Sequence, residues 1–198
     1  MSKERFLNYT DAIVAIVATI MVLQLPLPQN ATFHALSQEG LPFFAYLLSF
    51  AVIWVVWYNH HSLFEAVRKV NVKVYWYNGF WFFTMSLFPV ATAWVGRNPN
   101  LFLPELFYLL IIFLWSLAFS LMEAELIREG EYARTSVFYS KNRQYFYYVL
   151  LGISALVIWF LPIFVLLSVF IFATYGAYEQ IKFGGIYVNR SLVSTDNK

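Results

Sequence analysis

Residues 102–122 read FLPELFYLLIIFLWSLAFSLM, an uninterrupted apolar run with a single charged side chain, Glu105. Such a run matches the about 20 residues that an α-helix needs to cross the hydrocarbon core of a bilayer. Polar and apolar residues do not alternate in it, which argues against a strand of a membrane β-barrel. The stretch therefore predicts a transmembrane helix, and similar runs occur along the whole chain.

The composition supports the same class of protein. The chain has 198 residues, of which 61% are hydrophobic and 12% charged, whereas soluble domains have about 45–50% apolar and about 25% charged residues. Six helices of about 20 residues each account for nearly all of this apolar content. The fold class predicted is an all-α integral membrane protein. The absence of cysteine excludes disulfides, thiolate metal sites and cysteine nucleophiles.

Charges, prolines and glycines divide the chain into six predicted spans within one transmembrane domain, residues 1–198. The last two spans are separated only by Leu161-Pro162, so a tight hairpin and one kinked helix are both open. The combined length of about two spans favours the hairpin. The predicted spans lie near residues 7–25, 42–64, 74–95, 102–122, 145–161 and 163–182, with a cytoplasmic linker at 123–144 and a cytoplasmic tail at 183–198.

Basic residues are segregated by these spans. With six spans, every lysine and arginine except Arg97 falls on one side of the membrane. Because lysine and arginine concentrate in cytoplasmic loops, both termini are expected in the cytoplasm. Five spans would destroy this segregation, which also favours the hairpin. The basic residues on the cytoplasmic side are Lys3, Arg5, Arg68, Lys69, Lys73, Arg128, Arg134, Lys141, Arg143, Lys182, Arg190 and Lys198.

Few ionisable residues lie within the predicted spans, and each is costly there. Asp11 lies about one turn into the first span, and His60 and His61 lie at a similar depth in the second. A carboxylate facing either imidazole forms a structural polar contact between two helices, and the sequence leaves open which histidine it faces. A proton- or ion-handling role is the alternative. Glu105 and Glu179 lie near span ends, where we expect them to reach toward water.

These residues do not indicate an enzyme. Asp11 with His60 or His61 is the single candidate set for intramembrane catalysis, and no matching nucleophile or second acid accompanies it. No cofactor or bound metal is predicted, and the net charge of +2 gives no reason to expect nucleic acid.

The first span differs from the others because the stretch from Asp11 to Leu23 has no aromatic residue. At helical spacing, one stripe on it contains Ala12, Ile16, Thr19, Ile20 and Leu23, and Asp11 points away from the stripe. Periodicity alone leaves two interpretations open, a helix-packing seam and the lining of a pore. Lys3 and Arg5 precede this apolar run as in a secretory signal, but no small-x-small cleavage pattern follows, so the span is expected to be retained.

Three stretches in the first three spans resemble the transmembrane-protein-175 family of potassium channels, in its bacterial single-repeat form. Arg5-Phe-Leu-Asn-Tyr9-Thr10-Asp11 is similar to the family's Arg-x-x-x-Phe-Ser-Asp motif, with Tyr9 in place of Phe and Thr10 in place of Ser. Trp57-Tyr-Asn59-His60-His61 resembles its Trp-x-Asn-His-His segment. The third stretch, with Asn78, Pro89 and Thr92, is similar to its Asn-Pro-Thr pattern. Spans four to six show no such motif.

The resemblance implies a potassium-permeable channel in the bacterial inner membrane, a homotetramer within the lipid bilayer and with potassium as the permeant ion. In the family, first-span helices surround the pore and bulky aliphatic side chains form the constriction. The implied pore-lining residues are Ile16, Thr19, Ile20 and Leu23. The implied polar network behind the pore contains Arg5, Tyr9, Thr10, Asp11, His60, His61 and Asn78.

A hydrophobic constriction stops ions by dewetting when it is narrow. Thr19 either offers a hydroxyl ring to a partly dehydrated ion or bonds back to the carbonyl of Ala15. The sequence contains no Thr-Val-Gly-Tyr-Gly filter of the ordinary potassium-channel type. Two other functions remain open, a secondary transporter of a small solute or ion and a non-conducting structural protein of the membrane. The nearly uniform apolarity of the mid-membrane positions argues against the transporter.

Overall fold

The computed structural model describes residues 2–65, 67, 69–130 and 141–195, with side chains throughout except at 65, 141–144 and 183–195. All regular elements in these ranges are α-helices, which confirms the all-helical prediction. The helices are α1 (Lys3–Leu23), α2 (Phe33–Gln38), α3 (Gly40–Glu65), α4 (Val72–Ser86), α5 (Phe88–Arg97), α6 (Phe102–Arg128), α7 (Lys141–Val157) and α8 (Phe164–Thr195).

Short polar side chains mark the starts of three helices. Ser2, Thr32 and Asn71 are in extended conformation, and each accepts a hydrogen bond from a backbone N–H in the first turn of α1, α2 and α4 respectively. Such caps satisfy donors that have no partner within the helix. The sequence thus fixes where these three helices begin.

The third predicted span consists of two helices, α4 and α5. The break falls at Leu87, because Pro89 lies in the first turn of α5 and has no backbone N–H to continue the hydrogen bonding of α4. Together they form one apolar segment, Val72–Arg97, of 26 residues.

Five helical segments in the described ranges are long and apolar enough to cross a membrane: Lys3–Leu23, Gly40–Phe64, Val72–Arg97, Phe102–Arg128 and Phe164–Lys182. The apolar part of α7, Tyr145–Val157, is shorter. At about 1.5 Å per residue it extends roughly 20 Å, less than the about 30 Å of the hydrocarbon core. Helix length therefore establishes five candidate spans, and the sixth stays a prediction.

The chain folds back between α7 and α8. The helices are interrupted from Ile158 to Ile163, around Pro162. The rings of Tyr147 and Phe172 pack with their centroids 4.4 Å apart, and those of Phe146 and Tyr175 5.0 Å apart. Because both contacts join residues on opposite sides of Pro162, α7 and α8 form a hairpin and not one kinked helix.

Helix α6 continues beyond the end predicted for the fourth span. Glu123 and Glu125 are helical and buried, although the sequence suggests a polar linker from residue 123. Met122 and Leu126 explain this extension, because both are buried in the same cluster as Phe6 and Val74 and hold this end of α6 against the bundle. Several predicted cytoplasmic residues lie outside the described backbone or side chains: Arg68, Arg134, Lys141, Arg143, Arg190, Lys198, and the linker and tail around them.

The bundle core is built from large aromatic side chains. Trp81 of α4 and Trp115 of α6 are fully buried and stack with their ring centroids 5.4 Å apart. Phe88 of α5 packs edge-on against Trp115 at 5.0 Å. This core packs α6 against α4 and α5, while α1 lies against α3, α4 and α5 at the edge of the subunit.

Candidate functional site

Helix α1 has one buried and one exposed face. The buried face packs on the bundle through Phe6, Thr10, Val14, Val17 and Met21. The stripe predicted to line a pore lies on the opposite face, where Ile16 is 55% exposed, Ile20 41% and Leu23 79%; Ala12 and Thr19 are exposed as well. The stripe therefore contributes little to packing within the subunit, and its apolar side chains are available to line a space between subunits.

Thr19 bonds to the backbone of its own helix. Its hydroxyl donates to the carbonyl oxygen of Ile16 at 2.8 Å, and not to Ala15, three residues being the span of this bond instead of four. A hydroxyl that donates in this way keeps acceptor lone pairs on its oxygen. Thr19 can thus present acceptor capacity, with its donor satisfied locally.

A buried chain of hydrogen bonds joins α1, α4 and α3. Nε2 of His60 donates to Oδ1 of Asn78 at 2.9 Å, and Nδ2 of Asn78 donates to Oγ1 of Thr10 at 3.3 Å. The Thr10 hydroxyl donates in turn to the Phe6 carbonyl at 2.9 Å. Because an amide group has distinct donor and acceptor ends, this order specifies a neutral His60 protonated at Nε2. All three polar side chains are almost completely buried.

Asp11 has a different hydrogen-bond partner from the one predicted. Its Oδ1 accepts from Nε1 of Trp57 at 2.9 Å, whereas His60 bonds to Asn78. The reason is angular: successive residues of a helix are about 100° apart, so Thr10 faces α4 while Asp11 faces α3. A hydrogen bond between Asp11 and either histidine is therefore not the contact that joins these helices.

The remaining residues of the predicted network lie at its edge. Arg5 is exposed, and its backbone N–H donates to the Ser2 hydroxyl at 3.4 Å. Tyr9 is 62% exposed, and its ring packs edge-on against Phe82 at 5.9 Å. His61 packs against the ring of Trp57 at 5.8 Å. The structure thus brings Thr10, His60 and Asn78 together, and it places Arg5 and Tyr9 outside that chain.

Two polar side chains that sequence reasoning missed hold the helices together. Trp57 pairs with Asp11, and Gln180 of α8 donates from Nε2 to the Val55 carbonyl at 2.7 Å and to Asn59 Oδ1 at 3.0 Å. An indole N–H is a donor that needs a partner when buried, so the presence of Trp57 in the Trp-x-Asn-His-His stretch was a usable signal. Gln180 has no comparable signal in its apolar surroundings.

A second buried polar group lies toward the Arg97 end of the bundle. The Tyr108 hydroxyl is 2.6 Å from Ser49 Oγ, which accepts from the Thr92 hydroxyl at 2.8 Å. Glu105, one turn from Tyr108, is fully buried, and within the described part of the chain neither of its carboxyl oxygens has a hydrogen-bond partner. The expectation that Glu105 reaches toward water is therefore wrong. Pro104, Tyr108 and Leu109 on the same helix are buried with it, which directs this turn of α6 into the subunit.

The arrangement suits conduction better than chemistry on a substrate. Among the described residues, no group of three or more His, Cys, Asp and Glu side chains could hold a metal ion. The polar side chains next to α1 are joined to one another and buried behind it, while its outer face is aliphatic and exposed. Such a helix, repeated around an axis, encloses a narrow hydrophobic passage.

Comparison with known proteins agrees with this arrangement. The family model described as the endosomal/lysosomal potassium channel TMEM175 matches residues 5–89. A potassium channel of Chryseobacterium sp. (strain P1-3) is 36% identical over 148 residues, which are 73% of this chain and 77% of that protein. The endosomal/lysosomal proton channel TMEM175 of Homo sapiens is 39% identical over 83 residues, which are 36% of this chain and 16% of that protein.

The same fold occurs in a solved structure. The crystal structure of a lysosomal potassium-selective channel TMEM175 homolog from Chamaesiphon minutus superposes with a TM-score of 0.65, covering 91% of this chain and 97% of that chain. The two sequences are 24% identical, so this likeness concerns the fold.

Proposed function

Because the chain belongs to the TMEM175 family, we propose that it is a potassium-permeable ion channel whose pore is lined by α1. The observation that carries the proposal is the exposed aliphatic stripe of α1, in which Ile16, Ile20 and Leu23 are 41–79% exposed. The relatives named as potassium channels include the one from Chryseobacterium, 77% of which this chain covers.

The conduction path requires several copies of the chain. The described interior of one subunit is closed by large side chains such as Trp81, Trp115 and Phe88, which leave no polar corridor along its length. An axis surrounded by α1 helices gives such a corridor, and closed cyclic symmetry is the usual form of a homo-oligomer. We propose a homotetramer, the assembly that the family resemblance implies.

The gate is a hydrophobic constriction. Rings of Ile16, Ile20 and Leu23 around the axis exclude water and ions when they are narrow, and pass partly dehydrated ions when they widen. Thr19 lies on the same face, and its oxygen keeps acceptor capacity beside its bond to Ile16. No filter of the Thr-Val-Gly-Tyr-Gly type takes part in this mechanism.

The polar network keeps α1 in position. Thr10 and Asp11 attach the helix to Asn78 of α4 and Trp57 of α3, on the sides away from the exposed stripe. In lipid, polar contacts between helices hold a bundle together where the hydrophobic effect gives little preference for one packing. The network therefore supports the pore structurally, and it does not line the ion path.

The membrane arrangement completes the proposal. Six spans with both termini in the cytoplasm place all basic residues except Arg97 on the cytoplasmic face, as the positive-inside rule requires. The sixth span combines α7 with the apolar residues of the turn that follows it. The protein is placed in the bacterial inner membrane, because the Chryseobacterium relative and the Chamaesiphon homolog are bacterial channels.

Recording from purified protein in planar bilayers tests the channel and its selectivity together. With potassium on one side and sodium on the other, we expect unitary currents whose reversal potential indicates preference for potassium. Saturable uptake without current steps would instead indicate a transporter. The absence of both currents and uptake would support a non-conducting role.

A matched pair of substitutions tests the pore lining. Ile20 on α1 and Ile171 on α8 are both isoleucines that are 41% exposed in the subunit. Ile20→Ala widens the proposed constriction and should raise leak or change ion preference, whereas Ile171→Ala should leave conduction unchanged. Equal effects of the two variants, or no effect of Ile20→Ala, would contradict the assignment of α1.

A further inference from the structure

A cavity inside the subunit lies apart from the face of α1. It is enclosed by α3, α6, α7 and α8 and has an empty volume of about 530 Å³ including its mouth. This volume falls in the range of sites that bind small molecules, about 300–1,000 Å³. Its lining residues are Val56, Asn59, Trp115, Ser116, Phe119, Ser120, Glu123, Tyr147, Tyr148 and Phe172.

One face of α6 supplies the polar part of the lining. Ser116, Ser120 and Glu123 follow one another at helical spacing and point to the same side. The two serines are hydrogen-bonded to the hydroxyls of Tyr147 and Tyr148 on α7, at 2.7 Å for the second pair. Hydroxyls and a carboxylate therefore stand in a row along the cavity wall, deep in a helix bundle whose other interior surfaces are apolar.

Aromatic rings form the rest of the wall. Half of the lining residues are aromatic, and one of them, Trp115, has an indole N–H without a partner in the described part of the chain. None of the lining residues is a lysine or an arginine. Aromatic faces and a carboxylate both attract cations, and cation–π attraction reaches about 2 kcal/mol where water is excluded.

We propose that this cavity binds a small organic cation with an alkylammonium group. The ammonium lies between the rings and the carboxylate of Glu123, which is 3% exposed. Glu123 also interacts within the chain, and because a carboxylate offers about four acceptor positions, the ligand adds to that interaction. The hydroxyls of Ser116 and Ser120 and the amide of Asn59 serve a polar substituent on the ligand. The site is independent of conduction through the proposed pore.

Calorimetric titration of the purified protein in phosphatidylglycerol nanodiscs tests the site directly. The probe is choline, and the control ligand is 3,3-dimethylbutan-1-ol, which has the same shape and hydroxyl without the charge. We expect choline to bind roughly tenfold more tightly than the alcohol, because the rings and Glu123 favour the cation. Equal binding of the two ligands, or no binding of choline at tens of millimolar, overturns the proposal.

Two glutamates on α6 give a matched pair of variants. Glu123 lines the cavity, whereas Glu125 is also buried but accepts from Asn71 and Arg128 on another side of the helix. Glu123→Gln should weaken choline binding about fivefold or more, and Glu125→Gln should leave it unchanged. Unchanged binding in Glu123→Gln, with normal elution as a folded oligomer, overturns the role of the carboxylate.

A third variant tests the rings, and a second membrane distinguishes the source of the ligand. Phe119→Leu removes one ring of the lining with little loss of volume, so it should weaken choline and not the alcohol. In phosphatidylcholine nanodiscs, weaker apparent binding of choline indicates that the lipid headgroup occupies the site, and equal binding indicates a free ligand. Because no step depends on ion current, failure of this proposal leaves the channel proposal intact.

Discussion

Replacing Asn78 by alanine removes the central member of the hydrogen-bond chain between α1, α4 and α3. His60, 1% exposed, then loses the acceptor for Nε2, and an unsatisfied buried donor costs about 1–3 kcal/mol. Thr10 loses one bond but keeps its bond to the Phe6 carbonyl, which adds about 0.6 kcal/mol, the average for a polar contact between membrane helices. We expect Asn78→Ala to lower the free energy of unfolding by about 2–4 kcal/mol.

Unfolding in mixed micelles with increasing dodecyl sulfate measures this change. The unfolded reference state in such micelles keeps much of its helix, so the measurement reports contacts between helices. The change is followed by tryptophan fluorescence, because the stacked Trp81 and Trp115 lie next to the network. Asn98→Ala is the matched control: that amide donates to the Trp94 carbonyl near a helix end, and its loss should cost less than about 0.5 kcal/mol.

A double-mutant cycle separates the hydrogen bond from other effects of the substitution. Thr10→Val keeps the shape of the side chain and removes the hydroxyl that accepts from Asn78. If the bond is real, the two substitutions are coupled by about 0.6 kcal/mol. Equal costs for Asn78→Ala and Asn98→Ala, together with zero coupling, would refute the reasoning. Normal stability and assembly with abolished conduction would instead move Asn78 into the ion path.

Three further predictions concern packing and buried charge. Gly96→Ala should destabilise the subunit by about 1–3 kcal/mol, because its new Cβ comes within 2.9 Å of the Pro42 backbone; thermal unfolding in detergent measures it. Gly79→Ala meets nothing within 4 Å and should stabilise by about 0.5–1 kcal/mol in the same assay, so a loss would contradict the open space there. Glu105→Met should stabilise by about 1–3 kcal/mol, since it removes a buried carboxyl without a partner; a large loss of stability or conduction would show that Glu105 has a partner or a role that the subunit alone does not contain.

The exposed face of α1 was predictable because it follows from local periodicity. Ile16, Ile20 and Leu23 share one side of any helix that contains them, and the structure leaves that side uncovered by the rest of the subunit. The separation of Asp11 from this stripe is local geometry in the same sense. The family resemblance in the first three spans likewise rested on residues close together in sequence.

The partners in the polar network were less predictable. Asp11, His60 and His61 lie at similar depth, and depth alone allowed a carboxylate–imidazole contact. Small rotations of α3 and α4 decide instead that Trp57 faces Asp11 and that Asn78 faces His60. Such rotations depend on the aromatic core, in which Trp81 stacks on both His60 and Trp115.

The sequence by itself determined the helical membrane class, the segregation of basic residues and the stripe on α1, because each depends on composition or on spacing within one segment. The tertiary structure alone decided the burial of Glu105, the helical continuation to Glu125 and the cavity beside Glu123, because each depends on which helices become neighbours. In a chain that is 61% hydrophobic, apolar runs specify that helices form. The contacts between their large side chains select one arrangement of those helices.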